Sequence, residues 1–229
     1  ATLLNKTARA DDFVEPVRII NDEFEFLTEM NDIPALMREF TRNAAVDGDG
    51  CMYTYWDESI EAGNGVKGGI KTEIVPNTRV FFGNPNDRDV QSQPYIQIST
   101  REIVRRAKRR AKANKIADWQ NIIADCDSAT ATDSVKRTDD KVTTILTMWR
   151  DEDTGEIWAY ESTQNCDIKK PWNLGIKLYP ICWLSWDYIQ DCYHGQAMIT
   201  GLIPNQIFIN KAFAMSMLSM MRSAWPKYV

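Results

Sequence analysis

Apolar and polar positions along this chain alternate between two rhythms. Ile33, Leu36, Met37, Phe40 and Ala44 recur three and four residues apart, one face of a helix. Asp32 stands at its N-cap and Pro34 in its first turn, where a missing N–H costs nothing, and Gly48 and Gly50 stop it. Residues 1–27, ahead of it, set no clear period. After it the period falls to two. Cys51 to Trp56 favours a strand, with Met52, Thr54 and Trp56 opposite Cys51, Tyr53 and Tyr55. Ile70, Thr72 and Ile74 alternate with Lys71, Glu73 and Val75, and Arg79–Phe82 and Tyr95–Ile98 predict further strands around the turn-rich Gly83-Asn84-Pro85-Asn86-Asp87.

Ser99-Thr100-Arg101-Glu102 has the S-x-x-E form of a capping box and predicts a helix to about Lys115, continued by Ile116, Trp119, Ile122 and Ile123. Ser128 to Ser134 is polar and predicts a mobile loop. Val142–Trp149 and Ile157–Tyr160 bracket Asp151-Glu152-Asp153-Thr154-Gly155, a hairpin with an acidic turn, and Ile181–Trp186 adds a strand. From Gly195 the pattern is helical to the end. These elements predict an α+β fold: a mixed, mainly antiparallel sheet body, covered by helices near 33–46 and 100–125, with a long C-terminal helix. The expected division is 1–194 for the body and 195–229 for the helix.

The 229 residues are 44% apolar and 26% charged, an ordinary globular balance, with a formal net charge of −5. The five cysteines, Cys51, Cys126, Cys166, Cys182 and Cys192, include no C-x-x-C pair, so they predict free thiols rather than a disulfide framework or a zinc site. Neither terminus has the composition of a signal or a tail, and both look cut from something longer. His194 is the one histidine, and no phosphate loop or G-x-G-x-x-G occurs. A structural His194 and a chain that is not an enzyme, with no cofactor and no metal, are the expectations. Asp47 to Glu58 spans a calcium-loop length, but Cys51 and Met52 occupy positions that need an oxygen ligand and a glycine. Asp151 and Asp153 read as a solvated turn tip.

Two segments stand apart. Between Arg101 and Lys115 lie eight cations against Glu102, so this stretch carries +7 and the rest of the chain −12. Ile103, Val104, Ala107 and Ala111 are its predicted buried seam, and the cations are expected to face solvent or a shell protein rather than a channel. From Met198 to Met221 apolar residues cover more than one helix face, which demands burial in a large assembly or a membrane. Asn205, Gln206, Asn210, Lys211 and Arg222 interrupt any membrane-length run.

Several pieces, in order, resemble the portal proteins of tailed bacteriophages. Gly195-Gln196-Ala197-Met198-Ile199, then Leu202-Ile203-Pro204-Asn205-Gln206 and Ile209-Asn210-Lys211, resembles that family's entry into its first stem helix. Tyr179-Pro180-Ile181 with Trp186 looks like the lead-in before it. Asn43-Ala44-Ala45-Val46-Asp47-Gly48 with Tyr53, Trp56 and Asp57, and Val75-Pro76-Asn77-Thr78-Arg79-Val80 with Asn84-Pro85, resemble earlier segments; Asn43 and Asn84 stand where acids are usual. The resemblance implies a portal wing domain plus first stem helix, ending before the clip. It implies a structural subunit of a ring at one capsid vertex, commonly of twelve copies, through which double-stranded DNA is packaged and ejected without sequence-specific binding. Implied partners are copies of itself, capsid and scaffolding proteins, the terminase large subunit and a tail adaptor. No membrane is implied, and the location is the virion, with the host cytoplasm during assembly. Gln206, Asn210, Lys211, Phe213 and Leu218 are the expected oligomer and channel-helix residues. The rivals are another phage capsid or adaptor protein, or an uncharacterised enzyme.

Overall fold

The computed structural model describes residues 14–62, 66–125 and 141–223; the expected loop at Ser128 to Ser134 lies outside them. The fold is α+β, with two sheets and four α-helices among the described residues. Strands β1 (Asp49–Ala62), β2 (Val66–Ile74) and β8 (Ile181–Ser185) form one sheet in the order β2-β1-β8. The second runs β3 (Val80–Phe82), β4 (Tyr95–Ile103), β5 (Lys141–Arg150), β6 (Ile157–Ser162), β7 (Asp167–Asn173). Every one of these pairings is antiparallel, in keeping with the expected mainly antiparallel body, which is divided here into two sheets.

The two sheets share one core. Cys51 and Ile181 from the first, with Val75 just past the end of β2, meet Val80, Phe82, Ile96, Ile98, Met148, Ile157 and Ala159 from the second. The alternation of Ile96 and Ile98, and of Ile157 and Ala159, places each pair on the inward face, as a period of two requires. The hairpin lies where the pattern puts it, with Arg150 opposite Ile157.

α2 (Ile33–Asp47) buries Phe40 and Ala44, and Gly48 closes it in the left-handed region at φ 94°, its N–H bonded to Ala44 O. Asp32 precedes it at φ 47° and makes no side-chain cap; its carbonyl instead accepts from Ala35 N and Leu36 N. α1 (Val14–Met30), which the sequence left unread, has no buried residue. Asn31 ties its end to β2 by donating to Ile70 O and accepting from Thr72 N, both at 3.1 Å.

The predicted helix at 100–125 is corrected. Ser99 to Glu102 is strand, paired with Ile145 to Val142, and its backbone donors are satisfied by that ladder instead of by a capping box. α3 is only Val104–Ala113, with Ile103 at its N-cap, and Trp119–Asn121 forms a separate 3₁₀ turn. Ala107 and Ala111 are fully buried with Ile116, Ile122, Val142 and Ile168, and Val104 packs on them. Ile103, expected in that seam, belongs to the strand end and is exposed.

Candidate assembly site at the C-terminal helix

Gly195 begins the approach to the last helix. A 3₁₀ turn at Met198–Leu202 leads into α4 (Ile203–Ser223), with Pro204 in its first turn. Its 21 residues include none that is buried. Ile203, Ile207, Phe208, Ile209, Phe213, Met215, Met217, Leu218, Met220 and Met221 stand 45–72% exposed, on every side of the helix. Gln206, Asn210, Lys211, Phe213 and Leu218 all lie on this helix and are all exposed. Gln206 Nε2 donates to Asn210 Oδ1 at 2.9 Å, one turn away. No helix among the described residues is long and apolar enough to cross a membrane.

The segment that leads to this helix is tied to the body. Asp49, the first residue of β1, has its side chain 1% exposed, and one carboxylate oxygen accepts from Gly195 N at 2.7 Å. The other lies 2.8 Å from His194 Nδ1, whose N–H donates to it. Trp186 N donates to Gly48 O, and Asp187 and Gln196 form a two-way bridge. A Cβ on Gly48 would sit 2.5 Å from Gly195 O, and one on Gly195 would sit 2.9 Å from Gly48 O, so the two glycines are in backbone contact. Tyr193 stacks on Phe82 at 4.6 Å, and Trp183 Nε1 donates to Tyr193 O.

The His194 pairing was out of sight in the sequence, because its partner lies 145 residues away. What the sequence singled out separately, the Asp47-Gly48-Asp49-Gly50 run and the His194-Gly195 entry, the fold brings together at one joint. The carboxylate of Asp49 is taken up by His194 and Gly195. Among the described residues no group of three His, Cys, Asp or Glu is placed to hold a metal ion.

Two shallow troughs, of about 450 and 630 Å³, run along α2. Met37, Arg38, Thr41, Arg42, Ala45 and Trp186 line the first, and Glu39 is the one carboxylate lining either. The described thiols are free, and burial, helped by neighbouring Cys182, pushes Cys51 up to about 12.

The basic helix is partly neutralised from within. Arg110 pairs with Glu102 at 3.0 Å and with Glu161, and Arg106 reaches Glu102 at 3.7 Å. Burial pushes Glu102 above the ordinary carboxylate range, and Arg110 pulls it back only in part. The same burial works against Arg110, but Glu161 and Glu102 outweigh it and hold the guanidinium more firmly protonated.

Comparison with protein-family models gives no match for this chain, and comparison with curated proteins gives no significant match.

Proposed function

We propose that this chain is the wing-like body and first stem helix of a tailed-phage portal subunit, a structural ring component through which duplex DNA is packaged and ejected, and not an enzyme. The observation that carries the reading is α4: a 21-residue helix, apolar on all sides, with no buried residue. Such a helix is unfavourable in water and favourable between neighbours. The anchoring of the segment that leads to it, through Asp49, His194 and Gly195, is compatible with that reading. The ordered motif resemblance from Asn43 to Lys211 supports the same reading. Under this reading α4 pairs with its copies, Phe213 and Leu218 lie at the contact, and Lys211 is the side chain nearest passing phosphate. Capsid and scaffolding proteins, the terminase large subunit and the tail adaptor are the partners, and the capsid vertex is the location.

Electron microscopy of the protein expressed at its natural length tests the reading. Closed rings with a central hole are expected. Monomers or open aggregates alone would remove it.

A further inference from the structure

Charge in this chain is segregated onto two helices that pack on different parts of the body. α3 lies on β4, β5 and β7, whereas α1 lies on α2. On α3, Glu102 and Glu161 answer Arg106 and Arg110, but Arg105, Lys108, Arg109 and Lys112 make no ion pair among the described residues. Arg105, Arg109 and Lys112 recur at i, i+4 and i+7, along the side opposite the buried Ala107 and Ala111.

α1 has the reverse sign. Glu15, Asp22, Glu23, Glu25 and Glu29 face a single cation, Arg18, which Glu15 already holds at 2.6 Å. The other four acids make no ion pair among the described residues. At helical spacing Ile19, Glu23, Phe26 and Met30 share one side, with Asp22 and Glu29 along its flank, and Ile19, Phe26 and Met30 are exposed.

Each helix is strained by its own pattern. Like charges repel one turn apart at Asp22, Glu25 and Glu29, and again at Arg105, Arg109 and Lys112. An opposite helix relieves both, and arginine stems can cover Ile19 and Met30 while a guanidinium sits on the Phe26 ring. We propose that α1 of one copy docks along the Arg105, Arg109 and Lys112 face of α3 in a second copy. The two surfaces differ, so the contact is head-to-tail and repeats from copy to copy. Closure of that repeat into a ring rests on the portal reading; the contact itself does not. Duplex DNA is the other polyanion α3 would fit through its phosphates, but it would leave the acidic, apolar face of α1 uncovered.

The test is sedimentation velocity on the natural-length protein carrying Phe213→Asp and Leu218→Asp, which silences α4. This background should associate at about 0.05 M salt and dissociate at about 0.5 M. Arg105→Glu with Arg109→Glu and Lys112→Glu should weaken association at least roughly tenfold, as should Asp22→Lys with Glu23→Lys and Glu29→Lys. Mixing the two reversed proteins restores matching faces and should restore association. A background protein that stays monomeric at low salt, reversals without effect, or a mixture no tighter than its components would each overturn the contact. So would filter retention of duplex DNA that α3 reversal abolishes while association persists. Loss or survival of rings with α4 intact bears on the portal reading alone.

Discussion

His194 Nδ1 and Asp49 Oδ2 lie 2.8 Å apart across 145 residues of sequence, and that pair ties the segment leading to the exposed helix to the start of β1. Asp49→Ala would leave the Gly195 N–H and the His194 ring without their buried acceptor, at a cost of about 2–4 kcal/mol. Asp49→Asn keeps one acceptor and should cost less, about 1–2 kcal/mol. Urea denaturation checks both. Equal losses for the two would show that the carboxylate does not act through its two oxygens.

Gly48 makes the same joint possible through backbone. At φ 94° any other residue is strained, and its Cβ would meet the Gly195 carbonyl. Gly48→Ala should therefore destabilise by about 2 kcal/mol or more, beyond the 1–2 kcal/mol of left-handed strain alone. Gly155 also has positive φ, at 69°, but open space around it, so Gly155→Ala serves as the control for strain without collision. If the two changes cost the same, the close approach of Gly48 to Gly195 carries no energy.

How much of this was legible follows from what each signal depends on. The hairpin around Asp151–Gly155, the α2 stripe ending at Gly48 and the apolar excess of α4 are local periodicities, and the structure repeats them. The S-x-x-E motif misled because its form is local and its fate is not: Ser99 to Glu102 had a ready partner in Val142–Ile145, which the sequence does not announce. α1 escaped notice because Ile19, Phe26 and Met30 overlie the stripe of Val17, Ile20, Phe24 and Leu27, and two apolar faces blur one period. Contacts such as Asp49 with His194 leave no periodic trace at all.

Arg110 sits between Glu102 and Glu161, whose side chains are largely buried. Arg110→Met should cost about 2–3 kcal/mol at neutral pH, below the full cost of breaking a buried pair because Arg110 itself is 40% exposed. Burial already raises Glu102, and removing Arg110 removes what holds it down. The deficit should therefore shrink as pH falls through the carboxylate range, since a protonated Glu102 needs no counter-charge. Urea midpoints of the two proteins from neutral to acid pH check the sign; a gap that widens on acidification would refute it.

The Cys51 thiol titrates near 9.0 when unfolded and at about 12 in the fold, where burial disfavours the thiolate. Below the first value both states are protonated and the shift contributes nothing to pH dependence. Above it the unfolded chain releases a proton that the fold retains, so stability falls as pH rises, by up to about 1.4 kcal/mol per pH unit for this group. Burial raises Tyr53 as well and adds to the loss at higher pH. Cys51→Ala should be less stable at neutral pH yet show a shallower decline between the two thiol values. Denaturant midpoints across that alkaline range measure both slopes.

For α4 the expected outcome separates folding from assembly. Phe213 and Leu218 are 67% and 55% exposed, so replacing both by Asp should leave the stability of the isolated body within about 0.5 kcal/mol. In an assembly each buried side chain contributes roughly 1.5–3 kcal/mol, about 3–6 kcal/mol for the two, and the added carboxylates would have to be desolvated as well. At 1.4 kcal/mol per tenfold, association should weaken by at least about a hundredfold. Lys211→Glu, on the same helix but apolar at no atom of its charged end, should leave association intact and change only what passes close to it. Analytical ultracentrifugation of the natural-length protein reads the association, and circular dichroism confirms that the body is folded. Rings that survive both aspartates at about 0.5 M salt, where charge contacts are screened, would mean that the apolar surface of α4 is covered by something other than its copies.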